Sequence, residues 1–214
     1  MKKKIIIMMG PPGSGKGTQS KKILMHLKNM FHLSTGDILR ENIKNNTKLG
    51  EKAKDFVHEG KLVPDDLIND MILTKLKEDT NFILDGYPRN ASQATLLKKE
   101  ASSLNKKIIT LNFDIPSFQI IKRNTNRLIC SKCHISYNKI SKKPKKDNIC
   151  DNCHSPLYQR NDDKKETIEK RLEIYETQTI PSLPILLSFT SFYDIDASLS
   201  SDKIFKTILD LLNE

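Results

Sequence analysis

Short apolar runs alternate with segments of helical periodicity along the chain. The first run, residues 5–9, is rich in β-branched side chains and is followed at once by glycine, which is typical of a strand buried on both faces of a parallel sheet. Similar runs predict strands over residues 82–84, 108–113 and 192–195. Between them, helical spacing of apolar side chains predicts helices over residues 16–28, 49–59, 64–78, 91–103 and 116–127, and from residue 163 onward. This alternation predicts an α/β fold with a parallel sheet and right-handed crossovers.

Composition narrows the class of protein. The 214 residues suffice for one large domain or two small ones, and the 37% hydrophobic and 29% charged residues exclude a disordered chain and a membrane protein. No apolar run approaches the roughly 18 residues that a bilayer span needs, and the run after the first lysines is too short for a secretory signal. We therefore expect a cytoplasmic protein with no membrane partner.

The formal net charge is +10, from 36 Lys and Arg against 26 Asp and Glu. This excess favours anionic partners, which are either polyanions such as nucleic acid or phosphate ligands. The densest stretch is residues 139–146, where five lysines accompany a proline, and it is typical of an exposed loop.

A glycine-rich segment, residues 10–18, follows the first predicted strand and opens the first predicted helix. Its glycines let backbone N–H groups surround a phosphate, and the helix N-terminus and the Lys16 ammonium add positive charge. The strict P-loop pattern fails at its last position, because Gly17 stands where a hydroxyl would ligate Mg²⁺, and Thr18 follows it. The segment predicts a phosphate-binding P-loop and leaves direct hydroxyl coordination of Mg²⁺ open.

Further motifs follow the P-loop in order. They are residues 34–40 (STGDILR), 60–63 (GKLV), 84–89 (LDGYPR), the pair Arg123 and Arg127, residues 160–163 (RNDD), and Arg171. Over nearly the whole chain this series resembles the adenylate kinase family, in its bacterial form with a long zinc-bearing lid. The resemblance implies the reaction Mg·ATP + AMP ⇌ 2 ADP, a role in adenine nucleotide homeostasis, and a monomer whose partners are ATP, AMP and ADP. It also implies a P-loop NTPase-type sheet of five parallel strands flanked by helices, with a small zinc-binding lid inserted.

The resemblance also implies domains and site residues. The core nucleotide-binding domain comprises residues 1–125 and 164–214, the AMP-binding segment residues 34–63, and the lid residues 126–163. The residues implied to bind ATP are Gly13, Ser14, Gly15, Lys16, Gly17, Thr18, Arg123, Arg127, Ser136, Tyr137 and Leu199. Those implied to bind AMP are Thr35, Arg40, Lys61, Leu62, Val63, Gly86, Tyr87, Pro88, Arg89, Gln93, Arg160 and Arg171. Those implied to be catalytic are Lys16, Arg89, Arg127, Arg160 and Arg171.

The residue types in these motifs suit transfer of a phosphoryl group to a nucleotide. The acceptor is already an anionic phosphate oxygen, so no general base is required, and catalysis consists of positioning and neutralisation of charge. Arginine grips phosphate with a planar two-pronged fork, which lysine lacks. The Gln93 amide offers a donor and an acceptor to an adenine edge, which favours AMP, with another acceptor base as the alternative.

Three carboxylates have two interpretations each. Asp85 ends a predicted strand beside the P-loop, where it could orient the waters of Mg²⁺ or cap a turn. Asp162 and Asp163 could pair with arginines or cap the following helix. We assign no function to the histidines at positions 26, 32 and 58.

All four cysteines lie in the cysteine- and lysine-rich residues 128–159, which we interpret as an insertion into the α/β domain. They are Cys130, Cys133, Cys150 and Cys153, two C-x-x-C pairs with 16 residues between them. This spacing favours Zn²⁺ held by four thiolates, which leaves no open position and makes the metal structural. Histidine follows each pair, so covalent haem is an alternative, as are free or disulfide-linked thiols.

A second function class stays open at this point. A zinc ribbon beside residues 139–146 could bind nucleic acid, although only Tyr137 and Tyr158 offer aromatic rings there. We expect no nucleic-acid partner, because this alternative does not require the arginine motifs. Near the C-terminus, Ala197 stands where the family usually has glycine, so the implied ATP contact of Leu199 is the weakest one.

Overall fold

The computed structural model describes residues 3–27 and 29–213 and contains two β-sheets. In chain order the strands are β1 (Lys4–Met9), β2 (Met30–Ser34), β3 (Asn81–Asp85), β4 (Lys107–Asp114), β5 (Arg127–Cys130), β6 (Ser136–Asn138), β7 (Leu157–Tyr158) and β8 (Ser191–Asp196). The central sheet has the order β2-β3-β1-β4-β8, and each pair of neighbours is parallel. The predicted five-stranded parallel sheet is therefore confirmed.

Helices cover both faces of this sheet. They are α1 (Lys16–His26), α2 (Thr35–Lys44), α3 (Lys48–His58), α4 (Asp66–Leu76), α5 (Ala91–Ala101), α6 (Ser117–Thr125), α7 (Lys165–Ile174), α8 (Leu183–Leu187) and α9 (Ser201–Asn213). A π-helical turn, Tyr175–Thr179, extends α7. Among the helices of the described residues, none has the length and apolar character that a membrane crossing requires.

Strand β1 lies in the middle of the sheet and separates two hydrophobic cores. Ile5 and Ile7 pack with α4 and α5 on one face, whereas Ile6 and Met8 pack with α1, α7 and α9 on the other. Side chains alternate between the faces of a strand, so a continuous apolar run is what a strand covered on both faces requires. This position places the P-loop, which follows β1, at the centre of the sheet's carboxyl edge.

The hydrophobic pattern did not predict β2, α2 or α9. Strand β2 lies at the edge of the sheet, and Phe31 and His32 within it are not fully buried, so it lacks the continuous apolar run of β1. Helix α2 begins at a serine cap, where the Ser34 hydroxyl accepts from the N–H of Asp37 at 3.2 Å. The helix predicted over residues 116–127 ends at Thr125, because Arg127 begins β5.

The segment between α6 and α7 has a sheet and a core of its own. Its strands are antiparallel in the order β6-β5-β7. Its core residues are Leu128, Cys130, Tyr137, Cys150 and Leu157. A core of this size is small for a stable fold, so a metal-bound cysteine cluster would add stability that apolar burial does not supply.

Candidate functional site

The P-loop wraps around the N-terminus of α1. Gly13 and Gly15 have φ angles of +82° and +104°, which side chains other than glycine rarely allow. The Lys16 ammonium folds back and donates to the carbonyl oxygens of Gly10 at 2.7 Å and Pro11 at 2.9 Å. Because the first N–H groups of a helix have no partner within it, the start of α1 and this ammonium form an anion-binding arrangement.

A cleft of about 580 Å³, here called the α2 cleft, lies beside α2 and the loop that follows α3. Nine residues that the sequence assigns to AMP line it: Thr35, Arg40, Lys61, Leu62, Val63, Gly86, Arg89, Gln93 and Arg171. Its remaining lining residues, which the sequence analysis did not assign to binding, are Gly36, Leu39, Val57, Gly60, Ile68 and Asp162.

A second cleft, of about 530 Å³ and here called the P-loop cleft, adjoins the first. Lys16 and Pro88 line it, and Arg89 and Arg171 line both clefts. The two shared guanidinium groups therefore stand where groups held in the two clefts would meet.

Ion pairs with aspartates hold Arg127 and Arg171. Arg127 donates to Asp163 from Nε at 2.9 Å and also from Nη2, and Arg171 Nη1 donates to Asp162 at 2.7 Å. Helix α7 has Lys164 at its N-cap and no side-chain cap. Of the two interpretations of these aspartates, the pairing with arginine is the one observed.

Asp37 lies between two of the arginines, Arg40 of α2 and Arg160. It accepts from Arg40 Nη2 at 2.6 Å and lies 3.5 Å from Arg160 Nη2. Burial alone would raise the pKa of Asp37, but the two guanidinium groups and the Ser34 hydroxyl lower it to about 2. The carboxylate therefore stays ionised and holds Arg160 against α2.

The cations of the site repel one another and are poorly solvated. Burial lowers the pKa of Lys16 to about 8; the Asp85 carboxylate opposes this change, and the nearby arginines add to it. Burial also lowers the pKa of Arg160 and of Arg171 to about 10 each, and Arg40 contributes to the change at Arg160. A bound anion would reduce the repulsion between these cations and would replace the interactions with water that they lose on burial. All six arginines of the chain belong to the motifs that follow the P-loop in the sequence.

Asp85 lies at the end of β3 beside the start of α1. A Cβ atom at Gly17 would be 3.7 Å from Asp85 Oδ2, and His32 Nε2 is also 3.7 Å from that oxygen. Burial would raise the pKa of Asp85, but His32 and Lys16 lower it overall, so the group is a carboxylate. His32 has no assigned function from the sequence, because its place follows from β2, which the hydrophobic pattern did not predict.

Gln93 is 3% exposed, and its amide is already hydrogen-bonded within the protein. Its Oε1 accepts from the N–H of Arg89, and its Nε2 donates to Asp65 Oδ1, each at 2.7 Å. Asp65 has no motif signal of its own and is not among the residues predicted from the sequence.

The four cysteine sulfurs converge on one point, all within 4.8 Å of one another. The contacts Cys130–Cys153 and Cys133–Cys150 are 3.3 Å and 3.5 Å, far longer than the roughly 2.05 Å of a disulfide. A tetrahedron with metal–sulfur bonds of about 2.3 Å has edges of about 3.8 Å. The cluster therefore fits a metal ion such as zinc, and the thiols are not paired in disulfides.

Each C-x-x-C pair forms the same turn. The N–H of His134 donates to the Cys130 carbonyl at 3.1 Å, and that of His154 donates to the Cys150 carbonyl at 2.9 Å. Both histidines have a φ of +56°. The repeated histidine thus closes a turn that aims two sulfurs at the shared point, which explains the C-x-x-C-H pattern without haem.

The remaining predicted residues lie elsewhere. Outside the P-loop, those that line neither cleft are Tyr87, Arg123, Arg127, Ser136, Tyr137, Arg160 and Leu199. The Tyr87 side chain is fully buried in the core, and its hydroxyl bonds to Asn69 at 2.9 Å. Tyr137 is 5% exposed within the segment between α6 and α7, so its ring is not an exposed surface for stacking nucleobases.

Comparison with known proteins agrees with this geometry. Residues 8–189 match the family model described as adenylate kinase. The chain is 45% identical to the adenylate kinase of Caldicellulosiruptor saccharolyticus over 183 residues, which cover 82% of this chain and 83% of that protein. It is 42% identical to the adenylate kinase of Methanocella arvoryzae over 92% of this chain and 93% of that protein. It is 39% identical to the adenylate kinase of Methanosarcina barkeri over 98% of each chain.

Proposed function

The chain belongs to the adenylate kinase family, and we propose that it transfers the terminal phosphoryl group of Mg·ATP reversibly to AMP, giving two ADP. In the cell this reaction would balance the adenine nucleotides. The observation that carries the proposal is that cations from distant parts of the chain meet at two adjoining clefts. Lys16 and the shared Arg89 and Arg171 surround the junction.

The two clefts suit two nucleotides that exchange one phosphoryl group. The P-loop cleft offers Lys16 to the donor phosphates, and the α2 cleft offers Arg40 and Arg89 to the acceptor phosphate. A phosphate oxygen is already a nucleophile, so the residues need to align donor and acceptor and to neutralise the charge on the group between them. Arg89 and Arg171, which line both clefts, are placed for that task.

The lid, residues 126–163, supplies further positive charge. Arg127 and Arg160 lie at its two ends, and each is held by a carboxylate. Arg160 Nε is buried and finds no acceptor among the described residues. A guanidinium group with an uncommitted donor, held near α2, is suited to grip a phosphate, and closure of the lid would exclude water from the transfer.

The two ion sites follow from the donor atoms present. Magnesium prefers oxygen ligands and neutralises phosphate charge when it is bound with ATP. The Asp85 carboxylate beside the P-loop is the group we assign to hold its waters. Four thiolates suit Zn²⁺ in the lid, where Cys130, Cys133, Cys150 and Cys153 would hold it as a structural ion.

Kinetics of one arginine variant test the assignment. Arg89→Ala should raise the KM for AMP and also lower kcat, because binding and alignment are lost together. Lys99→Ala, on the exposed face of α5, is the matched control and should behave as the wild type. Normal kinetics in Arg89→Ala would exclude the proposed role of the junction.

A further inference from the structure

Asp65 stands at the N-cap position of α4 but does not cap that helix. Aspartate is favoured at an N-cap because its carboxylate accepts from the first helical N–H groups, yet Asp65 makes no such bond. Its Oδ1 instead accepts from Asn90 Nδ2 at 2.9 Å and from Gln93 Nε2 at 2.7 Å. The carboxylate is therefore committed to the start of α5.

Two neighbours fix the orientation of the Gln93 amide. The Asp65 carboxylate can only accept a hydrogen bond, and the N–H of Arg89, 2.7 Å from Gln93 Oε1, can only donate one. If the amide turned over, its oxygen would face the carboxylate and its NH₂ group would face the N–H. Both contacts would be lost inside a nearly buried site, so one orientation is strongly preferred.

The fixed amide has one free donor and one free acceptor. An amide has two N–H groups and two oxygen lone pairs, and Asp65 and Arg89 each use one of them. Gln93 lines the α2 cleft, whereas Asp65 is not among the residues that line it. Adenine presents an acceptor at N1 beside a donor at N6, which matches this pair. A 6-oxopurine such as hypoxanthine or guanine presents a donor at N1 beside an acceptor at O6, which requires the opposite orientation.

We propose that Asp65 selects adenine over 6-oxopurines by holding the Gln93 amide in one orientation. Asp65 is thus a positioning residue that does not contact the nucleotide. This inference rests on the proposed function, since it takes the α2 cleft as the AMP site.

The test compares AMP with inosine 5′-monophosphate as acceptor. Asparagine can donate as well as accept, so Asp65→Asn should remove one of the two constraints on the amide orientation and reduce the ratio of kcat/KM for AMP over inosine monophosphate by about tenfold. The control is Asp66→Asn, which removes the same charge from the next, exposed residue of α4 and should leave that ratio unchanged. In Gln93→Ala, which lacks the amide, the ratio should be lower, and adding Asp65→Asn should not change it further.

Several results would overturn the inference. Equal losses with both acceptors in Asp65→Asn would give Asp65 a purely structural role. An unchanged ratio in Gln93→Ala would show that Gln93 does not read the base, and this holds even if Asp65→Asn does not fold. A failure of the proposed function can be told apart from a failure of this inference. It would appear in the wild type, as a preference for an acceptor other than AMP.

Discussion

The Lys16 ammonium lies inside the P-loop, where burial lowers its pKa to about 8 and the nearby arginines contribute. The protonated form attracts phosphate; this form predominates below about pH 7, and the attraction is lost as pH rises through about 8. We therefore expect kcat/KM for ATP, which reports the free enzyme, to fall as pH rises from about 7 to about 9.5. Lys16→Met should be slower by about 100-fold or more and should show no such inflection. A flat wild-type profile over this range would contradict the assignment.

Gly86 has a φ of +84°, and a Cβ atom there would lie 2.5 Å from Thr35 Oγ1 and 2.8 Å from Arg89 Nη2. Gly15 has a similar φ of +104°, but a Cβ atom there would meet nothing within 4 Å. Gly15→Ala should therefore cost only the backbone strain, about 1 kcal/mol of unfolding free energy, and Gly86→Ala about 2 kcal/mol or more. Gly86→Ala should also raise the KM for AMP by displacing Arg89. Denaturant unfolding of both variants checks this, and equal losses would show that the contact at Gly86 is not tight.

Sequence motifs identified residues with recognisable chemistry and missed those that act through them. Arg89 stands in a motif and Gln93 lies four residues after it, and the structure places both in the α2 cleft. Asp65 and His32 reach the site through α4 and β2, and their side chains touch site residues that are distant along the chain. Such a pairing depends on tertiary geometry, which periodicity and motif spacing do not contain.

At the scale of elements, the lid has a small core of its own that includes two of its cysteines. Zinc at the four sulfurs should supply much of its folding free energy, so Cys130→Ser should lower the melting midpoint by roughly 5–10 °C. It should also make residues 126–163 sensitive to protease while the central sheet stays folded. Ser131→Ala, an exposed change in the same turn, is the control. Complete loss of turnover with an unchanged melting curve would make the metal catalytic.

The Tyr137 hydroxyl connects the lid core to the cysteine cluster. Its oxygen accepts from the N–H of Asp151 at 2.8 Å, which leaves its own hydrogen for Cys150 Sγ at 3.5 Å. Tyr137→Phe should therefore speed the loss of bound zinc to a chelator by about tenfold, since partners of metal ligands affect metal affinity on this scale. Tyr158→Phe, on an exposed ring of the same lid, should leave the rate unchanged. Equal rates in the two variants would rule out this role.

Across the whole molecule, the lid contacts both α1 and α2 of the α/β domain. Lys21 of α1 donates to the carbonyl of His134, and Arg160 lies near Asp37 of α2. In the proposed function, the P-loop, the α2 cleft and the lid each contribute cations to phosphoryl transfer. The alternation of strands and helices predicted the sheet, but the order β2-β3-β1-β4-β8 follows from pairing between distant segments, which a hydrophobic pattern does not reveal.

The central claim is that one phosphoryl group passes between the P-loop cleft and a nucleotide in the α2 cleft. The direct measurement offers Mg·ATP together with AMP, GMP, CMP, UMP or dTMP to the wild-type chain and quantifies the diphosphates formed. The account predicts that AMP gives the highest kcat/KM and that ADP is the sole product, with no turnover when Mg²⁺ is withheld. Faster turnover of UMP or CMP than of AMP would contradict it, even though the kinase fold would stand.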